Sequence, residues 1–199
     1  MSPWSEATVE DYSRLPLRAH SLLHDVPVHD VWRVALPGGG PARTMKDVRD
    51  VLETARHSQR LSLPVRALFS LRWSLGRLLR WDSPPAEAEA SFCSRLSETD
   101  RQQSIVEPGT LDGPFTVVYV HAMEAVSEVR NATVHGVLVW ALEPTSTGYQ
   151  LLWAIHVLPV GIWTKPYLAL IDPFRRWLVY PALLRRIHET WTLQFKSAA

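Results

Sequence analysis

The chain has 199 residues, with Lys+Arg 21 against Asp+Glu 20 and a formal charge of +1. That length suits a single domain with a sizeable core, and the balanced charge leaves no field to hold a nucleic-acid backbone. Hydrophobic residues at 46% and charged residues at 21% exclude a disordered chain, and nine Trp need a large core or a wide pocket to bury their rings.

A single cysteine, Cys93, excludes an intrachain disulfide and a multi-cysteine metal site, and suits a reducing cytoplasm. The opening MSPWSEATVEDYSRLPL lacks the basic start and unbroken apolar run of a signal peptide. The most apolar stretch, 158–184, carries Lys165, Asp172, Arg175, Arg176 and four prolines, so it is not expected to span a membrane.

Residues 1–25 read as an N-terminal extension and 26–195 as one domain. The first strand is expected at 26–37, where Val26, Val28, Trp32 and Val34 follow period two and Asp30 interrupts the apolar set. Gly38-Gly39-Gly40-Pro41 lacks the Lys and Ser/Thr of a phosphate loop and reads as a flexible hinge. Thr44, with Asp47 three residues on, caps a helix over 45–58. A second helix is expected at 65–80. Its leucine stripe (Leu68, Leu71, Leu75, Leu78, Leu79) sits opposite Arg66, Arg72, Arg77 and Arg80. It packs on a core with a solvated Arg face, or makes a peripheral membrane contact. Residues 82–114 read as a long irregular segment, a candidate lid, with a short strand near Ile105-Val106.

Three strands follow at 115–129, 132–142 and 149–158. Short loops make them an antiparallel meander. The last helix starts at Asp172-Pro173 and runs through Trp177, Leu184, Ile187 and Trp191, with Pro181 kinking it or resetting its start. The meander needs a covering layer, and this helix is the element long and apolar enough to provide it. A wedge between sheet and helix is then expected. Trp140, Trp153 and Trp177 line it, with Tyr119, His121, Met123, Asn131 and Tyr149 as further ligand-binding residues.

If Arg130-Asn131 is a two-residue turn, Glu128 faces Thr133, Val126 faces His135 and Glu124 faces Val137. Glu124, Glu128 and His135 then share one face, each carboxylate diagonal to the imidazole. That set suits general acid–base catalysis; it equally suits a polar outer face held by ion pairs. His121, His135 and His156 lie on three consecutive strands, but no close His pair supports a metal site, so neither metal nor cofactor is expected.

The runs EAVSEVRNATVH (124–135) and GYQLLWAIHVLPVGIWTKPYLALIDPFRRWLVYPALLRR (148–186) resemble an uncharacterised bacterial family, the domain-of-unknown-function family numbered 2867. That family resembles the START-like superfamily, the helix-grip or polyketide-cyclase-like fold. The resemblance implies an α+β fold: a curved antiparallel sheet wrapped around a long C-terminal helix over a hydrophobic cavity. It implies a cytoplasmic binder of a hydrophobic small molecule, such as a lipid, polyketide or aromatic metabolite. The alternative is a cyclase, dehydratase or hydrolase with Glu124 or Glu128 as base and His135 as acid.

Overall fold

The computed structural model describes residues 2–57, 91–130, 134–162 and 164–195. The expected helix at 65–80, the segment 82–90 and Asn131 lie outside the described residues.

Alternating apolar side chains build a seven-stranded antiparallel sheet in the order β1-β2-β7-β6-β5-β4-β3. Its strands are β1 (Trp4–Glu6), β2 (Val28–Pro37), β3 (Leu111–Asp112), β4 (Phe115–Val120), β5 (Glu124–Arg130), β6 (Val134–Thr145) and β7 (Gly148–Pro159). The helices are α1 (Val9–Ser13), α2 (Arg18–Leu22), α3 (Met45–His57), α4 (Glu98–Gln103), α5 (Thr164–Phe174) and α6 (Tyr180–Phe195). A 3-10 turn occupies Phe92–Arg95, and a π-helical turn at Arg175–Val179 joins α5 to α6. The fold is thus α+β, as expected. Ile105-Val106 is not a strand; the Ile105 N–H instead donates to the Val120 carbonyl at 2.7 Å.

Both faces of the sheet are covered. On one, Trp32, Trp140, Leu142, Leu151 and Trp153 pack with Met45, Val48 and Val51 of α3 and with Tyr180, Leu184, Ile187 and Trp191 of α6. On the other, Val31, Val126, Val137, Val139, Leu152 and Ala154 meet Tyr12, Ala19, Leu23, Phe92 and Leu96. The first 25 residues, expected as an extension, therefore supply a strand and part of the core. A Thr8–Asp11 capping box starts α1 there.

Between the sheet and α6 the space expected as a ligand wedge holds stacked rings. Trp140 and Trp153 lie 4.8 Å apart at 18°, Trp153 and Tyr180 4.8 Å, and Trp32 and Tyr180 5.5 Å. Trp140 and Trp153 thus pack against protein. Trp177 is 81% exposed, because the inward positions of α6 are Tyr180, Leu184, Ile187, Trp191 and Phe195, and Trp177 falls outside that stripe on the π-helical turn.

The last helix also starts earlier than expected. Thr164 opens α5, and its hydroxyl accepts the Val160 N–H at 3.2 Å. Asp172 is no cap: its carboxylate pairs with His29 at 2.9 Å and lies 3.5 Å from Arg175. Arg175 also takes Asp30 at 2.9 Å, which explains the carboxylate that interrupts the apolar pattern of β2. Pro181 sits in the first turn of α6, directly after the π-helical turn at Arg175–Val179 where the helix continues from α5.

The glycine loop is pinned rather than loose. Gly38, Gly39 and Gly40 all have positive φ. The Trp191 indole donates to the Pro37 carbonyl at 3.2 Å, and Gly38 N–H to Thr147 O at 2.9 Å. Tyr149, expected to touch ligand, uses its hydroxyl here: it donates to the Gly40 carbonyl at 3.1 Å and accepts the Arg43 N–H at 3.1 Å.

Candidate functional site: a cleft at the β4–β5 turn

The expected strand 115–129 breaks in two. It reverses at His121-Ala122-Met123, between β4 and β5. The turn is tied down by His121 N–H to Glu124 O at 2.8 Å and by Leu142 N–H to Met123 O at 2.8 Å. Reversal at this point puts His121, Met123 and Glu124 together at one end of the sheet. There they line a cleft of about 600 Å³ with Leu15, Leu17, Ala141 and Glu143.

Glu124 sits at its base with a side chain only 7% exposed. Its Oε1 accepts the backbone N–H of Arg18 at 3.0 Å, and the Tyr119 hydroxyl faces the same carboxylate. Burial and then the Glu124 charge push the Tyr119 phenol well above its ordinary value, so this ring stays neutral. Tyr119 stacks on His121 at 4.3 Å and backs the cleft without lining it. The His121 Nε2–H donates to the Asp100 carbonyl at 3.2 Å. The His121 Nδ1 lies 3.8 Å from Glu124 Oε1.

The β5–β6 register differs from the two-residue-turn expectation. Glu128 stands opposite Val137, Arg130 opposite His135 and Glu124 opposite Ala141. The pairing is displaced by an even number of residues, so every side chain keeps its face. Glu128 and His135 do meet, with Nε2 to Oε2 at 2.7 Å. Glu124 is carried away from His135 along the strand, so the expected three-residue cluster does not form.

The Glu128–His135 pair is sealed, with side chains 0% and 2% exposed. Ser91 Oγ–H donates to Glu128 Oε1, Phe92 N–H donates to Oε2 at 3.2 Å, and the Phe92 ring lies 4.8 Å from the imidazole. Burial works to raise the Glu128 carboxyl, but hydrogen bonds from His135, Ser91 and Phe92 outweigh it and hold it below its ordinary value. The pair fastens the 91–95 turn onto the sheet.

His156 has its own buried partners. Its Nδ1–H donates to the Val26 carbonyl at 2.8 Å, which leaves Nε2 to accept the Tyr12 hydroxyl at 3.0 Å. Burial lowers the His156 pKa below 6.5, so the folded state loses stability as pH falls through that value and the ring must charge. Tyr12→Phe strands the buried Nε2 and is expected to cost about 1–2 kcal/mol in urea denaturation; an unchanged midpoint would contradict this pairing. The three histidines thus have separate partners, and among the described residues no group of three His, Cys, Asp or Glu could hold a metal ion.

The model of a family described as a protein of unknown function, DUF2867, matches residues 22–182. The chain belongs to the DUF2867 family. No curated protein matches it, and no solved structure does. Within the DUF2867 match lie β2 to β7, the turn that carries His121 and Glu124, and α5. The other wall of the cleft, Leu15, Pro16 and Leu17, precedes it. Sequence reasoning missed that wall, along with Gln103 and Glu143. The Thr8–Asp11 capping pattern, followed by Leu15, Leu17, Leu22 and Leu23, was the signal that the N-terminal segment packs on the domain.

Proposed function

We propose that this DUF2867 domain is a START-like binder of a small amphipathic molecule, whose apolar body lies along Leu15, Leu17, Met123 and Ala141. A hydrogen-bond donor on that molecule, best a protonated amine, is held by Glu124 and His121. The observation that carries this reading is a roughly 600 Å³ cleft where the buried Glu124 carboxylate and the His121 ring meet, Nδ1 lying 3.8 Å from Oε1. The lining includes a second carboxylate, Glu143, and no Lys or Arg, so its charge favours a cationic head. START-like folds are expected to hold ligand between sheet and last helix; here stacked rings occupy that space, and among the described residues a cleft opens at the sheet's end. The free Cys93 suits a cytoplasmic setting. The acid–base alternative gains no support from Glu128 and His135, because a substrate would have to displace the Phe92 turn to reach them.

Octylamine and octanoate make a direct test by NMR titration. Octylamine is expected to shift the amides of 15–17, 121–124 and 141–144, and octanoate is not. Glu124→Gln keeps an oxygen for the Arg18 N–H but removes the charge. It is expected to weaken octylamine binding roughly tenfold, the scale of one charge-assisted hydrogen bond. Equal affinity in that variant, or shifts elsewhere, would overturn the assignment.

A further inference from the structure

The outer side of α5 and the π-helical turn is an apolar strip open to solvent. Ile162 is 86% exposed, Leu170 49%, Phe174 45% and Trp177 81%. Pro166, Ala169 and Pro173 are exposed between them. Folded proteins expose single apolar side chains freely, but a contiguous strip with Trp and Phe marks a contact surface.

Charge indicates the partner. Residues 162–186 contain Lys165, Arg175, Arg176, Arg185 and Arg186 against one acid, Asp172. Asp172 is taken by His29 and Arg175 and lies on the side of the sheet, away from the strip. Arg176 pairs with Glu6 and Arg185 with Glu189, both in exposed positions where water screens the pair. Among the described residues, Lys165 and Arg186 show no carboxylate partner. A helix with an apolar stripe of Leu, Phe and Trp and flanking cations matches the boundary between acyl chains and headgroups. From Ile162 to Trp177 the strip is about 22 Å long at 1.5 Å per residue. Among the described residues no helix is long and apolar enough to cross a membrane, so the strip lies along a surface.

We propose that the face formed by Ile162, Leu170, Phe174 and Trp177 seats the protein on a lipid surface rich in anionic headgroups. Lys165 and Arg186 sit among the phosphates. The strip lies on α5, away from the β4–β5 cleft, so this inference does not depend on the ligand reading.

Co-sedimentation with phosphatidylcholine vesicles, and with vesicles containing about a third phosphatidylglycerol, tests it. The wild-type chain is expected to bind the anionic vesicles and to release at high salt. Phe174→Ser with Trp177→Ser is expected to lower the bound fraction roughly tenfold, and Lys165→Glu to lower it on anionic vesicles alone. The thermal melt of the double variant controls for folding, and only a small shift is expected because Trp177 is 81% exposed and Phe174 45%. Binding to neither vesicle, or equal binding by the double variant, would refute the proposal. So would a dimer in light scattering that the double variant dissolves, since a second copy would then cover the strip.

Discussion

His135→Ala is expected to cost about 3–5 kcal/mol of folding stability, the scale for stripping a partner from a buried carboxylate. Glu128 would keep the Ser91 hydroxyl and the Phe92 N–H but lose the 2.7 Å contact to Nε2 at a site sealed from solvent. The pairing also sets an acid response. Because the folded carboxyl lies below its ordinary 4.5, its stabilisation is complete above that pH and is lost as pH falls through the lower folded value. Glu128→Gln removes the titrating group and is expected to flatten the acid side of the melting profile below pH 4.5. Coincident acid slopes in wild type and variant would show that the pair does not titrate as described. Were the pair a catalytic dyad open to substrate, either change would abolish turnover while leaving stability nearly intact.

Gly148→Ala is expected to be comparably damaging, by about 3 kcal/mol or more. Gly148 has φ +142, and a Cβ there would stand 2.5 Å from the Gly38 nitrogen, 2.6 Å from the Leu36 carbonyl oxygen and 2.8 Å from the Gly38 oxygen. All three are backbone atoms of the strand end and glycine loop beside it, so no side chain can swing aside. Gly113 is the control. Its φ is +62, and nothing lies within 4 Å of the added methyl, so Gly113→Ala is expected to cost only the left-handed backbone penalty of roughly 1–2 kcal/mol. Urea midpoints measured side by side separate the two effects. Equal losses would mean that the close approach of the glycine loop to the β6–β7 turn contributes nothing.

Much of this architecture was legible in local pattern. Period-two alternation located β2, β6 and β7 to within three residues, and the Thr44–Asp47 spacing located α3, where the Asp47 carboxylate accepts the Thr44 N–H at 2.8 Å. What failed was long-range. Phe115 to Val129 reads as one strand-like run, and no Gly, Pro or Asn within it announces a reversal. His121-Ala122-Met123 turns because its backbone bonds to residues far along the chain, such as Met45 N–H to Ala122 O at 2.6 Å. The Glu128–His135 contact was legible because parity survives an even register shift. Glu124 was chosen rightly as a polar residue of that face, but its neighbours, His121 and Arg18, come from the turn and the N-terminal segment. The ring count pointed to a pocket; rings fill space as readily as they line it, and Trp32, Trp140 and Trp153 do the former.

The attachment of α6 to the sheet has a consequence for synthesis. The strand partners of the Trp-rich face are complete once β7 is made, but Tyr180, Leu184, Ile187 and Trp191 come later in the chain. A nascent chain that has emerged only through Pro159 presents Trp32, Trp140 and Trp153 to the surrounding solution without the cover of α6. During that interval the half-built sheet is a target for chaperones and for other nascent chains, and closure waits on the release of the last helix.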